Sequence, residues 1–197
     1  MKLRLILVLP LVISFVACSS GGDFVPAKKW QDKLQYTGFS VKKPKNEGWY
    51  LIKRQRESGS GTFGYMSGND QQAIIVAVNI ASISTKPKSI EEMTSKFKKD
   101  AIYTRDPANK VISYEQAPVN KQGQMCIQHK LKFEKKDGQA VAAKFASGFT
   151  CVHPSLENAV IDVMFTVDGN ASNELTKEGD DFLNGISIEV APGKAAS

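Results

Sequence analysis

The chain is poor in the residues that carry most enzyme chemistry. Among 197 residues there are three cysteines and two histidines, and no G-x-S-x-G, H-E-x-x-H or C-x-x-C spacing occurs. Those absences exclude the nucleophile turn of α/β-hydrolases, the helical zinc site of metalloproteases and the usual zinc knuckle. The longest apolar run, Leu5 to Ala17, is about a dozen residues and is interrupted by Pro10. A helix crossing a bilayer needs roughly 20. The basic residues, 26 against 20 acidic, are scattered rather than clustered, which argues against nucleic acid as a partner. No reaction can be read from what is left.

The N-terminus carries an address. Lys2 and Arg4 precede the apolar run, which has the shape of a secretory leader. The ending Phe15-Val16-Ala17-Cys18 resembles a bacterial lipobox, with phenylalanine where leucine is usual. The resemblance implies cleavage before Cys18 by signal peptidase II and acylation of its thiol and new amino group. Two or more chains hold a protein on the bilayer where one is marginal. Ser19, in place of aspartate, implies the outer membrane, facing the periplasm. An ordinary leader cut elsewhere, or a retained apolar start, is the alternative. Loss of residues 1–17 lowers the formal charge from +6 to +4. Segment 18–29 then reads as a lipidated tether, 30–190 as one domain and 191–197 as a frayed tail. A mildly basic surface suits anionic lipid, lipopolysaccharide or peptidoglycan, or simply solubility. The expected partners are the bilayer, through Cys18, and an envelope protein or anionic polymer.

Along the domain, Trp30 to Tyr36 reads as a helical turn, and Gly38 to Val41 and Trp49 to Ile52 as short strands. Ser58 to Asp70 contains GSGTFG, which fits G-x-G-x-x-G, but a strand rather than a helix follows and no kinase motif accompanies it. It reads as a mobile hairpin loop, with Phe63, Tyr65 and Met66 as candidate contact residues. Ala73 to Ile83 is nearly continuous apolar and β-branched, as in a buried central strand. Ser89-Ile90-Glu91-Glu92 is a capping box, and Ile90, Met93, Phe97 and Ala101 fall on one face of the helix it starts, which ends before Asp106-Pro107. Val111 to Val119 reads as a strand with its turn at 120–123. Then comes a block of three strands, MCIQHKLKFE, AVAAKFASGFTCVH and NAVIDVMFTV. A second helix spans Ser172 to Asn184 with Gly185 as its cap, and Ile186 to Val190 returns as a last strand. Turns this short join antiparallel neighbours, so the class is α+β: a mostly antiparallel sheet covered by two main helices.

That order of elements resembles the α/β/α sandwich of the photosystem protein PsbP and the Ran-binding protein Mog1. The C-V-H-P segment followed by an apolar strand also resembles uncharacterised bacterial lipoproteins of that fold. The resemblance implies a fold and an envelope location, and no activity.

Cys126, His129, Cys151 and His153 form the sharpest chemical pattern. They could be four zinc ligands, although C-x-x-H and C-x-H are unusual spacings. With Cys18 acylated, Cys126 and Cys151 are instead an even pair in an oxidising compartment, which suggests a disulfide; free thiols are the third option. Alternation places His129 with Ile127, Leu131 and Phe133 as a half-buried core histidine, and His153 before Pro154 as a turn cap. If those residues share a core face with Val141, Phe145 and Phe149, Cys126 and Cys151 point to opposite sides. A disulfide then requires a bulge, expected near Ser147-Gly148. The loop it closes, about 24 residues, is worth about 3 kcal/mol. Asp162 and Asp168 could pair as carboxylates, or lie on a surface face. Asn170-Ala171-Ser172 fits a glycosylation sequon that carries little meaning in a bacterial-looking protein. No cofactor or resident metal is expected. Two functions follow: a membrane-anchored binding or accessory module, or a small envelope hydrolase or metal-binding protein built on His129 and His153.

Overall fold

Alternating apolar residues dictate most of the structure. The computed structural model describes residues 24–55, 59–66, 73–137, 140–168 and 172–189. The leader, Cys18, the start of the tether, Ser58 and 67–70 of the glycine segment, Asn170 and the tail lie outside the described residues. In chain order the elements are β1 (Val25–Pro26), a 3-10 turn (Ala27–Lys29), β2 (Lys33–Gln35), β3 (Phe39–Lys42), β4 (Trp49–Gln55), β5 (Ser60–Met66) and β6 (Ala73–Ser82). Then come α1 (Ile90–Lys96), α2 (Lys99–Tyr103), β7 (Asn109–Lys121), β8 (Gln124–Asp137), β9 (Ala140–Val152), β10 (Ala159–Asp168), α3 (Asn173–Asn184) and β11 (Ile186–Ile188). Eight strands form one sheet in the order β1-β4-β5-β6-β10-β9-β8-β7, and β11-β3-β2 form a second. The described pairings are antiparallel. The fold is α+β, as the sequence implies.

The large sheet carries core on both faces. On one, Phe63, Val76, Val78, Phe149, Cys151, Ile161, Val163 and Phe165 pack against Phe182 and Leu183 of α3 and against Phe39, Val41, Ile186 and Ile188 of the small sheet. The Trp49 and Phe182 rings stack with centroids 4.0 Å apart. On the other, Met93 of α1 meets Ile127 and Val152, and Tyr103 of α2 packs on a cluster of Leu131, Phe133 and Ala146. The result is a sandwich, α1 and α2 on one side, α3 and the small sheet on the other.

Local chemistry sets the helix ends. Ser89 Oγ accepts from the Glu92 amide at 3.3 Å, and the Glu92 carboxylate accepts from the Lys88 amide at 2.8 Å. Ser172 caps α3 by accepting from Leu175 N. Gly185 ends α3 with an ordinary φ of −77°, its amide donating to the carbonyls of Asp181 and Phe182. Gly179 lies inside that helix because a Cβ there would come within 2.9 Å of the Phe165 ring. The β7–β8 turn has positive φ at Gln122 (54°) and Gly123 (80°), the geometry of a two-residue hairpin loop.

Several expectations need correction. The turn expected at Trp30 to Tyr36 is instead the 3-10 turn 27–29 followed by β2. The first helix does not run on to Asp106: it stops at Phe97, restarts at Lys99, and leaves Ala101 exposed. β6 is central but not buried on both faces; its residues alternate, with Ile75 45% exposed. The glycine segment is no hairpin loop over 59–66, where β5 pairs with both β4 and β6. Its glycines make room for neighbours: a Cβ on Gly64 would lie 2.7 Å from Ile52, and one on Gly61 3.1 Å from the Phe63 ring. No bulge occurs near Gly148 either, since the β8–β9 register runs unbroken from Cys126↔Cys151 to Asp137↔Ala140. The register shifts that do occur lie near Ile52 in β4 and near Ile112 in β7.

Candidate functional site

Cys126 and Cys151 sit directly opposite each other on β8 and β9, with Cα atoms 4.1 Å apart, and are joined as a disulfide. Both are fully buried in the core under α3 and the small sheet. His129 lies three residues from Cys126 and so faces the other side of the sheet. The four-ligand metal arrangement is therefore not formed: two of its sulfurs are bonded to each other and its histidines are separated by the sheet. Among the described residues, no group of three or more His, Cys, Asp and Glu is placed to hold a metal ion.

His153 is a structural clasp. Its Nδ1 accepts from the amides of Ser155 and Leu156 at 3.1 and 3.0 Å, capping the turn after β9. That places its proton on Nε2, which donates to the Thr37 carbonyl at 3.2 Å. A Cβ on Gly38, whose φ is +82°, would collide with the imidazole ring. Burial holds the ring below its ordinary pKa and so neutral.

His129 belongs to a polar row across four adjacent strands under the α1–α2 junction. Its Nδ1 lies 3.0 Å from Tyr114 Oη on β7, and its Nε2 lies 3.2 Å from Thr150 Oγ1 on β9. Thr150 donates to Asp162 of β10 at 2.6 Å, and Lys99, the first residue of α2, closes the row on Asp162 at 2.7 Å. At the other end the Tyr114 hydroxyl donates to Gln116 Oε1 at 2.5 Å and accepts from the Lys99 amide. The Gln116 amide donates to the Thr94 carbonyl in α1. The break between the helices turns Lys99 inward, where only 6% of it is exposed. Burial, helped by Lys99 and opposed by Asp162, pushes His129 down to about 4. Burial likewise raises the Tyr114 phenol.

A neutral histidine donates from one nitrogen, and both hydroxyls beside His129 already have other acceptors. Only one of its two ring contacts is therefore a hydrogen bond, and the row ties helices to sheet through Lys99 and Gln116. His129 is fully buried and Lys99 nearly so, while the Asp162 side chain is 24% exposed.

The remaining candidates are dispersed. Phe63 is a core residue, 5.6 Å from Trp30 and 5.1 Å from Phe182 between ring centroids. Tyr65 packs against Trp49, and its hydroxyl accepts from Asn46 at 2.8 Å. Met66 is 50% exposed at the end of β5. They are strand residues, so the contact-loop assignment does not hold for them together. Asp162 pairs with Lys99, while Asp168, six residues and about 20 Å further along β10, pairs with Lys144. They form no carboxylate dyad.

Comparison with known proteins adds little. No protein-family model and no curated protein matches this chain. Among solved structures it is similar to LpqN, involved in cell envelope biogenesis of Mycobacterium tuberculosis, at 14% identity and a TM-score of 0.48 over 76% of this chain and 82% of that one. It is also similar to the cyanobacterial PsbP (CyanoP) of Synechocystis, at 15% identity and a TM-score of 0.44 over 82% of this chain and 95% of that one.

Sequence reasoning missed Lys99, Tyr114, Gln116 and Thr150. Tyr114 and Thr150 stand in the polar alternation of their strands, which marks a face but not a partner. Lys99 reads as one more cation at a helix C-terminus, and only the helix break reverses its direction.

Two cavities open on the side of α3. One, of 390 Å³, lies between the Lys42–Asn46 turn and Glu178, Asp181 and Phe182. The other, of 280 Å³, is lined by Lys121, Gln128, Phe149 and Asp180 among others. Lys121 Nζ sits 4.0 Å over the Phe149 ring and donates to the Leu183 carbonyl, which ties the β7 end to α3. Neither cavity is lined by His129 or His153.

Proposed function

We propose that this chain is a bacterial envelope lipoprotein, anchored through acylated Cys18, that works as a binding or accessory module and not as a hydrolase. One observation carries the second half of that reading. Every cysteine and histidine of residues 24–189 is used in an internal bond: Cys126 with Cys151, His153 between two turns, and His129 inside the row from Tyr114 to Lys99. Such side chains stabilise a scaffold and leave binding to its surfaces. The first half rests on the leader and the Phe15-Val16-Ala17-Cys18 ending, with Ser19 favouring the outer membrane. Among the described residues no helix is long and apolar enough to cross a membrane.

Intact-mass measurement on the membrane fraction tests the anchor. The expected species has lost residues 1–17 and gained acyl chains, and a Cys18→Ser variant leaves the membrane. A soluble wild-type product, or a Cys18→Ser chain that still partitions with the bilayer, overturns it.

A further inference from the structure

We infer that the end of the domain nearest the tether, bearing Lys28, Lys29, Lys42, Lys43 and Lys45, docks flat on an anionic lipid bilayer. The inference rests on the anchor at Cys18 proposed above. Five residues, Ser19 to Asp23, separate that cysteine from Phe24, where the described chain begins. Fully extended, they reach about 20 Å. A folded body of this size is about 40 Å across, given a radius of gyration near 15 Å. The tether is thus too short to let the far end of the body turn to the membrane.

What it holds down is a basic part of the chain. Residues 24–48 contain six lysines against Asp32 and Glu47. Those lysines are brought together by the fold: Lys43 Nζ donates to the Lys28 carbonyl at 3.3 Å, Lys33 and Lys42 are cross-strand neighbours, and Lys42, Lys43 and Lys45 line one cavity. Acidic groups border the patch, with Glu189 on Lys33 and with Glu178 and Asp181 lining the cavity beside Lys42, Lys43 and Lys45, but they are fewer than the lysines and each has a partner. Glu189 is bonded to Lys33, Asp181 to Lys177, and Glu178 accepts from Trp49 Nε1. Phe24, at the tether junction, is 69% exposed and apolar, as a residue entering the interface would be. Lysines within a Debye length of an anionic leaflet, about 10 Å at moderate salt, each gain about fivefold in partition.

Lysine footprinting of the lipidated protein decides the matter. The protein is reconstituted on vesicles of phosphatidylcholine alone, or with about a third phosphatidylglycerol, and acylated briefly before mass spectrometry. On anionic vesicles at low salt, Lys28, Lys29, Lys43 and Lys45 should react about fivefold more slowly than on neutral ones, and recover in about 0.5 M salt, where screening is strong. Lys110 and Lys132, on β7 and β8 about six or seven strand spacings from β1 and so roughly 30 Å away, should not change. In a Lys28→Gln, Lys43→Gln, Lys45→Gln variant the protection of Lys29 should be lost. Equal rates on both vesicles, or uniform slowing that includes Lys110 and Lys132, overturn the docking face while the anchor stands. Failure to stay on phosphatidylcholine vesicles overturns the anchor, and the tether argument with it.

Discussion

Acid should weaken this fold through His129 well before its carboxylates titrate. The folded-state pKa of His129 lies at about 4, against an ordinary 6.5, because the ring is buried between Tyr114 and Thr150 with Lys99 nearby. A group whose folded pKa is depressed binds its proton more readily in the unfolded chain. Stability is therefore unaffected above about pH 7, falls as the pH drops through 6.5, and levels off near 4. At 1.36 kcal/mol per pKa unit, the full loss is about 3 kcal/mol, of which about 2 kcal/mol appears between pH 7 and pH 5. Glu92 and Glu189 also have lowered values, so they too weaken the fold on acidification, but only below the ordinary carboxylate range. Urea unfolding at pH 7, 6 and 5 measures the slope in the wild type and in His129→Gln. The His153 shift acts in the same direction in both proteins, so the difference between slopes isolates His129. Equal slopes would refute the reasoning. So would an NMR titration of the His129 ring near its ordinary value in the wild-type chain, a measurement that holds even where the variant folds poorly.

Gly148 faces His129 across β8–β9, and a Cβ there would strike the Val163 carbonyl oxygen and lie 2.8 Å from Met164 Cα, both backbone atoms of the next strand. Gly148→Ala should cost about 3 kcal/mol, read from the thermal midpoint; a variant as stable as the wild type would mean that β9 and β10 separate freely. Reduction of Cys126–Cys151, which closes a loop of 25 residues, should cost about 3 kcal/mol. Since both cysteines are fully buried, thiol labelling in reductant should track unfolding, and rapid labelling of the native protein would contradict that burial.

How far the sequence reveals this fold depends on what each local signal can encode. The Ser89 and Ser172 caps and the strand block from Gln124 to Asp168 are legible because each depends on neighbours within a few residues. Glycine misleads at β5: GSGTFG satisfies a turn composition, yet Gly61 and Gly64 serve a paired strand in which larger side chains press on both faces. The bulge expected at Gly148 fails for a different reason. It assumed one core face, with Ile127 and Phe149 on it together. In the register, Ile127 pairs with Thr150, and Cys126 with Cys151, so odd residues of β8 share a face with even residues of β9. Both faces are buried there, one under α1 and α2 and one under α3, and each strand supplies apolar residues to both.

The same fact hides the buried polar row. A Tyr, His, Thr or Asp in a strand reads as a solvent-facing position when only one face is taken to be core. Here Tyr114, His129, Thr150 and Asp162 lie on a face that α1 and α2 cover, and burying them without partners would cost several kcal/mol in all. Their partners are one another, across strands 12 to 21 residues apart in sequence, joined by Lys99 from the helix above. Alternation fixes which residues share a face within one strand. Only strand order and register, β7 beside β8 beside β9 beside β10, bring those faces into line, and those are settled by the whole sheet closing on both its layers.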